Sequence, residues 1–498
     1  MAILMGPVLG FRGASDDRWQ VSALVVSDGP PLAAHVGGRQ LGAPVALLSH
    51  NNRTAWRYDL EVPRGHDDGT VRYEIGSTAA EFVVPGAGRA PRMAYASCNG
   101  FSDPKYMKGV AEKNERWTHM RTQHKDTSFH LLLLGGDQVY GDAIWAESEV
   151  PALWEWLQKE ANRRVRLNFT RAMERQISRF YFDLYQKRWS QPEPAHMLAR
   201  VPTLMMWDDH DVFDGWGSYP EPLQECEVYQ GIFAHASRAF RAFQLQTEAG
   251  RTPPGCLSGQ TAFSYAHRIG ELALLALDLR SERTSQQVMS PGTWTGALDW
   301  VDALRGVRHL LVLLSIPAVY PRFGWLEAAL RLTPGRQELE DDLRDHWTSR
   351  PHRGERLRMI HRLFRFARAQ QCRVTFLSGD VHVGALGVLQ SDRAGDSAVH
   401  ADVINQLVSS AIVHPPPAAV VDFFLEHVGS RSEEIDRGIT ARMLEFPGTD
   451  ERFIGARNWM ALEVDVQNRI WANWHAEGQT GTTPYTKVIH PVGDPAES

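Results

Sequence analysis

The sequence predicts an α/β protein preceded by a small all-β, immunoglobulin-like module. Three observations lead there. Short apolar runs at residues 131–134, 201–206, 272–277, 309–316 and 373–377 read as strands buried on both faces. Helical patterning with one apolar stripe separates them at residues 150–189 and 339–370. Upstream, residues 55–62 and 70–75 alternate apolar and charged side chains with the period of half-buried antiparallel strands.

The β-module comes first, over residues 1–88. Trp56, Tyr58, Leu60 and Val62 share one face while Arg57, Asp59 and Glu61 share the other. Val71, Tyr73 and Ile75 repeat the pattern against Arg72 and Glu74. Turn signals at residues 29–31 and 65–69 separate these strands. Nothing in the module carries chemistry, so its expected role is to pack on the main domain or shape its cleft. The stretch 85–91, PGAGRAP, reads as a linker into a domain spanning 89–498.

In that domain, each of four apolar strands empties into polar residues. The strand MAYASC ends at Cys98. LLLL at 131–134 turns through two glycines into Asp137 and Tyr140. VPTLMM at 201–206 runs into Trp207, Asp208, Asp209, His210 and Asp211, and RVTFL at 373–377 runs into Asp380 and His382. Open α/β sheets bind ligands at such carboxyl ends of strands. One aspartate after a strand is as well explained by helix capping. Four strands ending in metal-ligand residue types are not. Several carboxylates buried together without a cation would cost several kcal/mol each, and a metal cluster removes that cost. Late strands at 403–408, 460–466 and 469–474 follow, the last two as a hairpin.

These motifs, ASC at 96–98, GGDQVYGD at 135–142, WDDHD at 207–211 and SGDVH at 378–382, occur in an order that resembles PhoD-type alkaline phosphatases of the calcineurin-like metallophosphatase group. The resemblance implies a four-layer α/β/β/α sandwich with two metal ions at its rim. It implies Asp137 as the aspartate shared by both metals. It implies Cys98, Tyr140 and His382 as further ligands of Fe³⁺. Asp209 and Asp380 match the positions of a second metal, Ca²⁺ in the family, with another divalent ion as the alternative. His210 matches the histidine that faces the phosphoryl group. Asn99, Asp142, Asp208 and Asp211 stand near enough in sequence to support these groups or to hold a further Ca²⁺.

The chemistry suits these residue types. Thiolate, phenolate and carboxylate stabilise a trivalent iron, while carboxylate oxygens suit Ca²⁺ or Mg²⁺. Two cations about 3.5–4 Å apart bind phosphoryl oxygens and acidify a bridging water, which then attacks phosphorus in line. His210 is positioned in the motif to protonate the leaving oxygen as general acid. The expected function is therefore hydrolysis of phosphate monoesters, diesters or both, on a small-molecule or lipid phosphoester. The alternative is a non-catalytic, metal-stabilised phosphoester-binding protein on the same fold.

Composition excludes several other classes. A net charge of −6 gives no electrostatic footprint for nucleic acid. Four scattered cysteines make no disulfide framework and fit a reducing compartment. Cys226, Cys256 and Cys372 lack spaced Cys or His partners for zinc. There is no phosphate-cradling glycine loop followed by Lys-Ser or Lys-Thr. The opening residues carry no basic n-region or twin arginine, and no window approaches a membrane span, so a cytoplasmic location is expected. Asp278, Arg280 and Arg283 read as a salt-bridge network, and His414, before three prolines, as a loop residue.

Overall fold

The computed structural model describes residues 2–257, 262–319, 350–392, 400–416, 432–478 and 483–493. Two large sheets face each other. The first has ten strands, in the order Tyr485–Ile489, Ile470–Ala476, Asn458–Val464, Met93–Ala96, Leu131–Gly135, Thr203–Met206, Ile3–Ala14, Arg18–Asp28, Arg53–Pro63 and Val45–His50. Its centre is parallel: Met93–Ala96, Leu131–Gly135, Thr203–Met206 and Ile3–Ala14 run in one direction. The second sheet runs Tyr265–Ile269, Leu272–Leu277, His309–Leu314, Arg373–Ser378, Val403–Val408, Gly384–Ser391, Ile439–Leu444 and Glu433–Asp436, with Phe453–Ile454 beside Gly384–Ser391.

The layering follows from the apolar runs. In Leu272–Leu277, side chains 272, 274 and 276 join the core shared with the first sheet. Their alternates, Ala273, Leu275 and Leu277, face outward onto Trp294 and Val301 of helix Pro291–Ala303 and Ile360 and Phe364 of helix Arg350–Gln370. His309–Leu314 divides the same way, with Leu311 and Leu313 inward and Leu310, Val312 and Leu314 outward. A strand buried on both faces needs apolar residues at every position, which is why these runs do not alternate with polar ones. Helices Glu115–Asp126, Arg171–Trp189 and Glu227–Phe243 cover the first sheet through Trp117, Ile177, Phe180, Ile232 and Phe240. The result is the four-layer α/β/β/α arrangement.

Residues 3–84 are all-β, as read from the sequence, and their strands divide between two sheets. Ile3–Ala14, Arg18–Asp28, Val45–His50 and Arg53–Pro63 extend the first large sheet, while Ala34–Val36, Arg39–Gln40, Gly69–Ile75 and Thr78–Val84 make a separate four-stranded sheet. The ten-stranded sheet takes strands from both sides of residue 88. The parallel pairing of Gly10 with Thr203 joins the segment to the main sheet. Gln246 Nε2 donates to the Val8 carbonyl at 3.0 Å, and Tyr73 Oη donates to the Ala199 carbonyl at 2.7 Å. The segment is thus bonded into the catalytic sheet rather than hung from it.

The late hairpin is present as Asn458–Val464 and Ile470–Ala476. The helical stretch 150–189 resolves into Pro151–Leu157, Ala161–Arg164 and Arg171–Trp189. Most of the charged run before residue 350 lies outside the described residues. Among the described residues, no helix is long and apolar enough to cross a membrane.

Candidate metal centre

The four strand ends that carry these polar residues meet at one end of the sandwich. Cys98 follows Met93–Ala96, Asp137 follows Leu131–Gly135, Asp209 follows Thr203–Met206, and Asp380 follows Arg373–Ser378. Each turn into the site is sharp. Cys98, Asp137, Asp380 and His382 all have left-handed backbones, with φ of 54°, 52°, 70° and 54°. This region is uncommon for residues with a Cβ, and such strain persists only where surrounding structure enforces it, most often at functional sites.

Two glycines make the approach possible. Gly136 has φ of 118°, and a Cβ there would stand 2.9 Å from the Cβ of Asp208. A Cβ on Gly379 would stand 2.3 Å from Ser97 Oγ. Side chains at either position would push apart the strand ends that carry the site.

Asp137, Asp209 and His210 place one ligand atom each within 4.8 Å of one another, as do Asp208, Asp209 and Asp380. Asp209 belongs to both groups, so the two form one acidic centre. Cys98 adjoins it, with Sγ 3.5 Å from Asp137 Oδ2 and 3.9 Å from the Asp380 carbonyl. The Tyr140 ring lies over His210, centroids 4.5 Å apart. His382 is tied in through Ser410, whose Oγ accepts from the His382 N–H at 3.1 Å and lies 3.0 Å from Cys98 Sγ.

The donors fit a metal. Among the described residues, Asp137 Oδ1, Tyr140 Oη and His382 Nδ1 are buried and have no hydrogen-bond partner. Such atoms are costly unless something else binds them. Without a cation their protonation equilibria also move the wrong way. Burial pushes the Asp137 carboxyl well above the usual carboxylate range; His210 opposes this, while Asp208 and Asp209 add to it. Burial, then Asp137, pushes the Cys98 thiol up, and burial, then Cys98 and Asp137, pushes the Tyr140 phenol up. A cation among them reverses each effect, because it favours the anionic form of all three.

His210 has two faces. Its Nδ1 lies 2.9 Å from Asp142 Oδ2, which leaves Nε2 for the site. Burial disfavours a charge on this ring, but Asp142 and Asp209 outweigh burial and hold it well above the ordinary imidazole range.

The supporting acids separate clearly. Asp211 Oδ1 accepts from the Gln138 and Val139 N–H groups at 3.1 and 3.2 Å and from Gln244 Nε2 at 2.8 Å, and its Oδ2 accepts from the Asp208 N–H at 2.9 Å. It ties the Asp137 turn to the Asp208–Asp211 turn. Asn99 Oδ1 accepts from Trp117 Nε1 at 2.8 Å, and its carbonyl accepts from Arg188 Nε at 2.6 Å. Asp278 accepts from Trp207 Nε1 at 2.9 Å and from the Phe263 N–H at 2.8 Å.

Sequence reasoning missed the segment after Val403–Val408. Ser410 bridges Cys98 and His382, and His414 stacks on His382 with centroids 4.0 Å apart and planes 8° from parallel. His414 Nδ1 donates to the Pro415 carbonyl at 2.7 Å, so the neutral Nε2 accepts from Ser102 Oγ at 3.1 Å. The signal available was another strand of the same sheet, ending in Ser409, Ser410 and, four residues on, His414.

Two sheets whose strand ends converge on a buried acidic centre with thiol, phenol and imidazole donors define a calcineurin-like metallophosphatase. The PhoD related phosphatase family matches residues 68–334 and 324–432. The chain belongs to that family and is by class a PhoD-like phosphoric ester hydrolase. The solved structure of PhoD has a TM-score of 0.58 to this chain at 14% identity, covering 98% of this chain and 89% of its own, and shares the fold. A Saccharomyces cerevisiae protein, "Uncharacterized protein YGR266W", is 27% identical over 519 residues, covering 85% of this chain and 72% of its own.

Proposed function

We propose that the protein hydrolyses phosphate esters of small molecules or lipids, as a monoesterase, a diesterase or both, with Fe³⁺ and a divalent ion, Ca²⁺ by preference, as its metals. The observation that carries this reading is the set of buried donor atoms Asp137 Oδ1, Tyr140 Oη and His382 Nδ1, without a hydrogen-bond partner among the described residues, beside Cys98. Cys98, Asp137, Tyr140 and His382 would hold the iron, since three of the four are anionic when bound. Asp209 and Asp380, with Asp137 shared, would hold the divalent ion through oxygen. When bound, the metal pair supplies Lewis acidity toward the phosphoryl oxygens and a nucleophile derived from water.

The chain's own residues do the rest. His210 carries a proton on Nε2 and delivers it to the leaving oxygen, while Asp142 at Nδ1 orients the ring and stabilises its charged form. Asp211 holds the Asp137 and Asp208–Asp211 turns in register. Tyr140 packs against the His210 ring and limits its rotation. Residues 1–88 would serve as a structural module and 89–498 as the catalytic domain. The loops 216–227 and 317–338 would shape the substrate pocket; of the second, residues 320–338 lie outside the described residues. Hydrolysis rates for p-nitrophenyl phosphate and bis-p-nitrophenyl phosphate test the reaction and divide monoesters from diesters. Bound metal without hydrolysis of either would favour a binding protein instead.

A further inference from the structure

Arg280 is fully buried, two residues beyond Asp278 and the strand Leu272–Leu277. Its backbone N–H donates to Asp278 Oδ1 at 3.1 Å, and its Nη1 donates to the Trp216 carbonyl at 3.2 Å. Its Nε pairs closely with Asp208 Oδ1. These anchors come from separate segments and fix both the position and the plane of the guanidinium. Held this way, Nη2 lies 3.3 Å from Asp209 Oδ1 and 4.0 Å from Asp380 Oδ1.

Asp208, Asp209 and Asp380 are also the carboxylates whose oxygens converge within 4.8 Å as a possible cation site. A guanidinium and a divalent ion therefore address the same oxygens. The guanidinium is tethered and never loses its charge. Divalent-ion affinity at oxygen sites rises with the number of uncompensated carboxylates and with site rigidity. Arg280 pairs with the Asp208 carboxylate and brings its positive charge within ion-pair distance of the other two, which offsets part of the negative charge a divalent ion would otherwise meet.

We propose that Arg280 is a resident cation at the second metal position, where it keeps the affinity for a divalent ion low and makes that ion exchangeable. An ion at Cys98, Asp137, Tyr140 and His382 would rest on ligands other than the three carboxylates that Arg280 pairs with, and would be held more firmly. The proposal rests on the two-position reading given under Proposed function. It makes Arg280 a positioning residue, because it acts through the carboxylates.

The test is metal binding by the full-length protein. Dialysis of the wild type against EGTA should remove calcium and leave iron, by elemental analysis. In equilibrium dialysis with Ca²⁺ alone, Arg280→Gln and Arg280→Met should bind about tenfold more tightly than wild type, and Arg280→Lys, which keeps the charge, within about threefold of it. Calcium that survives EGTA in the wild type overturns the proposal, and so does unchanged or weaker Ca²⁺ binding in both neutral variants. If neither neutral variant folds, the wild-type dialysis alone decides. Retained iron with an unmoved calcium affinity counts against Arg280 only. A wild type that holds neither metal counts against the two-position reading itself.

Discussion

His210 Nδ1 and Asp142 Oδ2 stand 2.9 Å apart, and the Asp214 N–H donates to the same carboxylate at 2.8 Å. The imidazole is thereby fixed in one orientation with its second nitrogen toward the acidic centre. Removing the ring should leave the metals in place and slow the chemistry. His210→Ala is expected to lower kcat by about 10²–10⁴ with iron and calcium content unchanged. Asp142→Asn, which keeps the shape but loses the charge, should cost about 10–100-fold. Metal loss in His210→Ala would instead make His210 a ligand, a role its place with Asp137 and Asp209 makes a sharp alternative.

Asp137 lies against Cys98 on one side and is grouped with Asp209 on the other. Asp137→Asn should therefore weaken both metal positions and abolish turnover. Asp209→Ala and Asp380→Ala should deplete mainly the divalent ion. Elemental analysis of the three purified variants checks this; parallel loss of both metals in all three argues against two positions.

Phenolate and thiolate bound to Fe³⁺ give a charge-transfer band in the visible. The protein should be coloured as purified. Tyr140→Phe keeps the ring that packs on His210 and should shift or bleach the band, and Cys98→Ser should alter it as well. A colourless, iron-free protein with full activity in both variants would remove the iron and leave the phosphoesterase.

Asp211 is a structural acid. Replacing it with alanine leaves the Gln138, Val139 and Asp208 N–H groups and Gln244 without their acceptor. Urea denaturation of Asp211→Ala should show a loss of about 3–5 kcal/mol, in the range for breaking a buried charged hydrogen-bond network. Asp211→Asn retains an acceptor oxygen and should lose less.

The strands were legible because burial on both faces forces continuous apolar runs, and the acids after them were legible because polar residues at buried strand ends are costly without a purpose. Cys98, Asp137, Tyr140, Asp209, His210, Asp380 and His382 lie together where the strand ends converge. The attachment of residues 3–84 was not legible. Alternation specifies a half-buried strand but not its neighbour, and the pairing of Gly10 with Thr203 spans nearly 200 residues. Arg280 was legible as part of a salt-bridge network but not as one that reaches Asp209 and Asp380, because that depends on how two sheets face each other. His414 was missed for a different reason: its stacking on His382 joins the ends of two neighbouring strands of one sheet, with no mark in the local sequence.

If buried donors around Asp137 hold metals that drive phosphoester hydrolysis, turnover and metal content must move together. The most direct measurement is the rate of p-nitrophenyl phosphate and bis-p-nitrophenyl phosphate hydrolysis by the purified protein, followed together with its metal content before chelation, after chelation and after metal return. Turnover should fall as the metals are removed and recover as they are returned. Turnover that persists in fully metal-free protein, or its absence in protein replete with both metals, would contradict it.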